Sequence, residues 1–422
     1  MPEFLDELSW RGLVYDVTDG LSDVLDAGPV TAYVGFDPTA SSLHVGSLLP
    51  VMALARLQRA GHVPIAIVGG GTGMVGDPSG KSAERNLQTP EQVQENLVGI
   101  RAQLEHFLDF TGPRAARIVN NADWLATIDL MTFPREVGKH FTVNYMLQKE
   151  SVSRRLANED GISYTEFSYL LLQAWDFLQM FDRFGCTLQM GGSDQWGNIT
   201  AGIDLIRRLR SKKAHGLVMP LVTAASGVKF GKTEAGAVWL DRARTSPFRF
   251  YQFWLNTDDR DVVRYLKFFT FLSAAEIAAL EQATAAHPET RDAQRTLART
   301  VTALVHSDED VRRAERAAAL LFHEDIATLS VDDVLAVFDD VPSTEVPAAE
   351  FAAGVNVLDA VVRTKLAPSK SDARRLVQAG GIYVNNRRVQ DVQEKLTSAQ
   401  AIGGQLFIVR KGARQNSLLR LA

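Results

Sequence analysis

The 422-residue chain has one cysteine, Cys186, so no intrachain disulfide can form and a reducing compartment is expected. No apolar run approaches the roughly 18 residues that a membrane-spanning helix needs. The N-terminus, MPEFLDELSWRG, carries acidic residues where a secretory signal carries basic ones. The eight histidines are scattered, with no His/Cys group at zinc spacing, so no structural metal is expected. The glycine-rich run GGGTGMVGDPSGKS, residues 69–82, falls one residue short of a phosphate-binding P-loop. Val75 stands where the first Walker glycine would be, and Gly76 is one place too late.

What is present describes a globular protein, 46% hydrophobic and 23% charged. Its length calls for two or three domains. The net charge of −5 conceals an asymmetry: residues 355–422 hold 12 Lys/Arg against 4 Asp/Glu, while the rest holds 33 against 46. A tail of +8 on a body of −13 fits a partner that is a polyanion, and it equally fits a solvated basic face.

Strand and helix patterns alternate through the first half. VTAYVGF reads as a buried strand, HVGSLLPVMALARLQRAG as a helix ended by Gly61, and VPIAIVGG as the next strand. TPEQ at 89–92 is a capping-box start with proline at the first helical position. ARIVNNADW, CTLQMGG and LVMPLVT are further strand candidates. This alternation predicts an α/β fold: a Rossmann-like, doubly wound, mostly parallel sheet with helices on both faces, binding ligands beyond its strand ends. After about residue 245 only helical patterns follow, then a polar Pro-containing stretch and a small α+β segment. The expected organisation is 1–245 catalytic, with an insertion at about 120–160, then 246–325 helical, 326–354 linker and 355–422 tail domain.

Two short motifs carry possible chemistry. HVGS, residues 44–47, opens the first long helix, where free backbone N–H groups and the positive dipole end favour phosphate. KFGKT, residues 229–233, offers two lysines and a hydroxyl on a loop after the last expected strand. Each alone has an ordinary explanation, a chance match or a solvated basic loop. Together and in this order they resemble the HIGH and KMSKS signatures of class I aminoacyl-tRNA synthetases. YVGFDPTASSLHVGS, GDPSGK, YLLLQAWDF and QMGGSDQWGNITAG are similar to the bacterial tyrosyl-tRNA synthetase family, and the resemblance runs over nearly the whole chain.

The resemblance implies activation of L-tyrosine by ATP, with Mg2+, to tyrosyl-adenylate and pyrophosphate, followed by transfer to tRNA(Tyr). It implies Thr39, His44, Lys81, Arg85, Lys229, Lys232 and Thr233 around the departing pyrophosphate. Gly35, Asp37, Gly46, Ser47, Gly192, Asp194 and Lys232 would line the ATP site. Tyr33 and Asp176 would receive the phenol, and Asp77, Tyr169 and Gln173 the amino end, with Gln189 and Gln195 nearby. Tyr169, Gln173 and Asp176 also share one helix face by their spacing. The glycines of 69–73 are expected to let substrate approach the backbone, and Asp77 to pair with its ammonium. Ser47, Val34 and Pro50 depart from the usual family residues on the nucleotide side, and Trp175 departs beside the amino-acid pocket.

The tail, APSKSDARRLVQAGGIYVNNRRV, resembles a small RNA-binding module also found in a ribosomal small-subunit protein. Ser369 would cap a helix presenting Lys370, Arg374 and Arg375, Gly380 and Gly381 would end it, and Asn385–Asn386 suits a hairpin turn. Arg387, Arg388, Lys395, Arg410 and Lys411 would extend the surface toward tRNA. The family further implies a cytoplasmic homodimer, for which FTVNYMLQKESVSRRL supplies apolar residues. The rival readings are a tryptophanyl synthetase, a small nucleotidyltransferase, and a non-catalytic RNA-binding relative of the synthetases.

Overall fold

The computed structural model describes residues 4–79, 88–157, 161–225, 230–233, 236–322, 331, 334–335, 338, 341–412 and 415–421. The chain divides into two compact units, 1–244 with 255–297, and 245–254 with 298–422. Helices expected to form one domain are therefore shared: Asp259–Phe269 and Ala274–Ala286 lie in the first unit, and Asp308–Phe322 lies in the second.

The first unit is built on a six-stranded sheet. Its strands are β1 (Asp16–Val17), β2 (Thr31–Phe36), β3 (Val63–Val68), β4 (Arg117–Asn120), β5 (Leu188–Gly192) and β6 (His215–Met219), in the order β1-β6-β5-β2-β3-β4. All neighbours are parallel except β1, a short edge strand that runs antiparallel to β6. The last expected strand, β6, stops at Met219, because Pro220 has no N–H to continue the ladder. β3, VPIAIV, is buried at five successive residues, the pattern of a strand covered on both faces. With a period of two, Tyr33, Ile65 and Ile67 share one face, where they meet Ala174, Phe177 and Leu178 of the Tyr164–Phe184 helix and Ala201 and Leu205 of the Trp196–Arg210 helix.

Local signals fix these helices. Thr89 and Gln92 form the expected capping box, with Pro90 in the first turn. Ser163 caps the Tyr164–Phe184 helix, and Gly185 ends it in the left-handed region. Before that helix the insertion leaves Leu130 85% exposed and Met131 75% exposed, and Val143, Leu156 and Tyr164 are also exposed. Arg155 and Glu166 form a buried ion pair at 2.9 Å. No helix among the described residues is long and apolar enough to cross a membrane.

The second unit holds a five-stranded sheet, β12-β11-β14-β15-β9, made from β9 (Ser343–Val346), β11 (Ile382–Val384), β12 (Arg387–Arg388), β14 (Leu406–Lys411) and β15 (Gln415–Leu421). A separate pair joins β10 (Val355–Asn356) to β13 (Lys395–Leu396). Ser369 caps the Lys370–Gln378 helix, and Asn385 and Asn386 both have positive φ between β11 and β12, as the sequence predicts. The segment expected to be a linker contains structure. β9 pairs in parallel with β15, and Phe351 is fully buried in the core with Phe407 and Val361. Its polar, Pro-containing composition hides a short alternating strand, STEV.

Candidate active site

A cavity of ≈ 730 Å3 opens beyond the carboxyl ends of β2, β3, β5 and β6 in the first unit. Its lining includes the expected residues Tyr33, Gly35, Asp37, Thr39, His44, Gly46 and Ser47. It also includes Asp77, Tyr169, Gln173, Asp176, Gln189, Gly192, Asp194 and Gln195. The Tyr164–Phe184 helix delivers Tyr169, Gln173 and Asp176 from one face, as their spacing requires.

One end of the cavity is a buried polar chain. Asp176, 4% exposed, accepts from Trp124 Nε1 at 2.6 Å and from Asn121 Nδ2 at 2.9 Å. Asn121 Nδ2 also donates to Thr72 Oγ1, which donates to Asp37 at 2.9 Å. Asp37 receives a further bond from the Tyr169 hydroxyl at 3.0 Å. Burial pushes the Asp176 carboxyl up to about 7, while the two hydrogen bonds pull it back down and Asp37 adds to the rise. The Tyr33 hydroxyl is buried beside this carboxylate with no hydrogen-bond partner, as is Oε1 of Gln189. A buried polar atom without a partner costs about 1–3 kcal/mol. Two of them in one apolar-walled cavity mark where a ligand's polar group supplies the missing bond.

A second group follows along the wall. Asp77 is buried, accepts from Ser79 N at 2.9 Å and from Gln195 Nε2 at 2.7 Å. Asn198 Nδ2 donates to Gln173 at 2.9 Å and to Gln195 Oε1 at 3.3 Å, fixing both amides. Asp37, Asp77 and the carbonyl-bearing amides give this stretch an excess of acceptors, the chemistry that receives an ammonium group.

The far end belongs to the two signature motifs. His44 caps the short 3-10 turn Val45–Ser47 that leads into the Leu48–Arg59 helix, its Nδ1 accepting from Gly46 N at 3.0 Å. The neutral ring therefore carries its proton on Nε2. A Cβ on Gly46 would lie 2.7 Å from the imidazole, so glycine here makes room for His44 folded back on the turn. Lys232–Thr233 (β7) pairs with Gly236–Ala237 (β8) in a hairpin, and Val45 N bonds Val238 O at 3.0 Å. A Cβ on Gly231 would strike Val45 at 2.7 Å, so the hairpin lies directly against HVGS. Lys81, Arg85 and Lys229 lie outside the described residues.

The glycine run has a different reason from the one expected. A Cβ at Gly69 would stand 2.4 Å from both Asp37 Oδ1 and Thr72 Oγ1. Gly70 is pressed by Asn120, Gly71 by Leu125 and Gly73 by Pro38, so the run is glycine because the protein's own side chains crowd it. Room for a ligand appears instead at Gly35, which lines the cavity and has nothing within 4 Å of a Cβ position. Asp37, expected on the nucleotide side, is bonded to Tyr169. Thr72, Asn121, Trp124 and Asn198 escaped the sequence reading. The only signal for Thr72, Asn121 and Trp124 was their place directly after a strand, as in the NNADW that follows IV in β4.

In the second unit Lys370, Arg375 and Arg387, among the expected RNA-facing cations, are paired with local acids. Lys370 meets Asp359 at 2.5 Å, while Arg375 pairs with Asp372 and Arg387 with Glu394. Arg388 Nε bonds Gly380 O at 3.1 Å, and the Arg410 guanidinium lies 4.0 Å from the Tyr383 ring centre. Arg374 is exposed on the same helix. Solvated ion pairs of this kind contribute only about 0–1 kcal/mol, so phosphates can replace the acids at little cost.

Comparison with known proteins agrees with this geometry. Residues 25–323 match a sequence profile for tRNA synthetases class I (W and Y), and residues 333–419 match one for the tyrosine–tRNA ligase SYY-like C-terminal domain. The chain is 57% identical to a tyrosine–tRNA ligase of Roseiflexus castenholzii and 51% identical to one of Geobacillus kaustophilus, each over 100% of both chains. Among solved structures, a C-terminally truncated mitochondrial tyrosyl-tRNA synthetase of Aspergillus nidulans superposes with a TM-score of 0.69 at 31% identity, covering 76% of this chain and 95% of that one.

Proposed function

The chain belongs to the tyrosine–tRNA ligase family of class I synthetases, and from that premise we propose how its residues divide the work. It is an aminoacyl-tRNA ligase that joins tyrosine to tRNA using ATP. The relatives from Roseiflexus castenholzii and Geobacillus kaustophilus, matched over the full length, are both named for tyrosine, so the tryptophan and non-catalytic readings are not favoured.

The observation that carries the residue assignment is the partnerless Tyr33 hydroxyl beside the Asp176 carboxylate. A substrate phenol there accepts from Tyr33 and donates to Asp176, satisfying the orphan. The ammonium group then reaches Asp77, Tyr169 and Gln173, with Gln189 and Gln195 shaping the wall. The tyrosine carboxylate points toward HVGS and attacks the α-phosphorus of ATP. The bond to the pyrophosphate oxygen breaks, and charge moves onto that leaving group. No covalent enzyme intermediate is needed, so catalysis rests on orientation and on positive charge placed for the leaving group. Gly35, Ser47, Gly192 and Asp194 hold the nucleotide. Thr39, His44, Lys81, Arg85, Lys229, Lys232 and Thr233 meet the phosphates. Mg2+ enters with ATP as part of the substrate.

The basic tail domain takes the tRNA, exchanging local acids for phosphates at Lys370, Arg375 and Arg387 and adding Arg374 and Arg388 to the contact. The exposed Leu130, Met131, Val143 and Leu156 form the face that a second copy covers in a homodimer. The protein works in the cytoplasm, where tRNA is charged.

Exchange of labelled pyrophosphate into ATP, run with each amino acid separately, tests the assignment. Tyrosine alone should support exchange. Exchange driven by tryptophan and not by tyrosine would overturn it.

A further inference from the structure

The helix Asp259–Phe269 is not part of the cavity wall, yet it grips the chain ahead of the lysine-bearing motif and within it. Ahead of the motif, buried Asp261 accepts from Ala225 N at 2.7 Å and from Arg264 Nη2 at 2.7 Å. Arg264 also donates to the Thr223 carbonyl, and the Tyr265 hydroxyl reaches that same oxygen at 3.2 Å. Within the motif, the Phe230 ring stacks on Phe269 at 5.4 Å with an interplanar angle of 8°, and meets Tyr265 edge-on at 5.0 Å. Thr223 and Phe230 both line the cavity.

The other end of this helix is held by the element that carries HVGS. Fully buried Arg56, in the Leu48–Arg59 helix, donates to the Phe268 and Thr270 carbonyls at 2.9 and 2.8 Å. Arg11 reaches Lys267 O at 3.0 Å and Leu272 O at 2.8 Å. Two guanidinium groups thus satisfy the orphan carbonyls at a helix C-terminus, where the dipole favours positive charge. The two signature motifs are therefore joined twice: directly, through Val45 and Val238, and through a brace running from the 48–59 helix to the 259–269 helix and on to Thr223, Ala225 and Phe230.

We propose that Asp261, supported by Arg264 and Tyr265, is a positioning residue that sets the lysine-bearing motif against HVGS for the ATP step. Its carboxylate is the only side chain that bonds Ala225 N among the described residues, and its other oxygen orients the guanidinium that holds Thr223. Asp261 does not line the cavity and bonds none of Tyr33, Asp176 and Asp77 among the described contacts, so its effect falls on ATP use and not on tyrosine affinity. This rests on the proposed role of the 229–233 motif in meeting phosphate.

The test compares Asp261→Asn and Tyr265→Phe with Lys232→Ala in the full-length protein. Equilibrium dialysis gives the tyrosine Kd without ATP. Single-turnover pyrophosphate release gives the rate of adenylate formation and its ATP dependence. Asp261→Asn keeps one acceptor and loses the charge, so it should slow adenylate formation about tenfold, with tyrosine Kd within about twofold of wild type. Tyr265→Phe removes one hydroxyl and retains the Phe230 contact, so a slowing of about threefold is expected from a properly folded protein. A side chain that merely stabilised the fold would weaken tyrosine binding alongside the rate. That result, or wild-type rates in both variants while Lys232→Ala is slow, overturns the positioning role and leaves the motif assignment standing. A wild-type rate in Lys232→Ala removes the motif assignment and the inference with it.

Discussion

Titration of Asp176 should govern how tightly tyrosine binds near neutral pH. The free carboxyl sits at about 7 because burial outweighs the bonds from Asn121 and Trp124. Only the carboxylate can accept a substrate phenol, since both of its oxygens already receive neighbours and a carboxylic acid has lost an acceptor site. If the protonated form does not bind, the apparent Kd grows with the protonated fraction. Lowering the pH from 8 to 6 then raises Kd about tenfold, or ~1.4 kcal/mol. Burial pushes the Tyr33 and Tyr169 hydroxyls well above their ordinary value, so both stay neutral over this range. Stability moves the other way. A carboxyl raised from 3.8 to about 7 on folding contributes stability that is full below pH 3.8 and is lost as the pH rises through about 7. Equilibrium dialysis of labelled tyrosine at pH 6, 7 and 8, with Asp176→Asn as a pH-insensitive control, measures the binding arm. A flat wild-type profile, or the same slope in Asp176→Asn, would refute the reasoning.

Trp124→Phe removes the 2.6 Å donor to Asp176. The inflection of the dialysis profile should move upward, with tyrosine affinity at pH 7.5 falling about tenfold. Arg56→Met leaves the Phe268 carbonyl without its donor and Thr270 O with Arg11 alone at 3.2 Å, at a cost of about 1–3 kcal/mol, read as a lower Tm for the unit that holds the cavity. Truncation ahead of residue 341 should preserve pyrophosphate exchange and abolish tRNA charging. Truncation at 355 should instead strand β9 and Phe351 without their partners, and a lower yield of soluble protein is the expected difference between the two.

Much of this site was legible because its signals are local. The 3.6-residue period put Tyr169, Gln173 and Asp176 on one face, and Thr89, Ser369 and Asn385–Asn386 announced their caps and turn. The supporting shell was not legible. Asn121 and Trp124 meet Asp176 from 55 and 52 residues away, and no pattern in either segment says so. Gly69 looks like ligand space in sequence, yet the structure fills it with Asp37 and Thr72, because a missing side chain does not reveal what occupies its place. The same holds for Asp261, an ordinary first-turn acid whose partner, Ala225 N, appears only after folding. β9 was missed because four alternating residues between prolines resemble any polar connection.

The central claim is that the buried Tyr33 hydroxyl gains its hydrogen bond from the substrate phenol. The most direct measurement is the ratio of kcat/KM for tyrosine over phenylalanine in pyrophosphate exchange, in the wild type and in Tyr33→Phe. Tyr33→Phe is expected to lose activity with tyrosine and not with phenylalanine, lowering the ratio about five- to tenfold. An unchanged ratio, or equal losses with both amino acids, would contradict it.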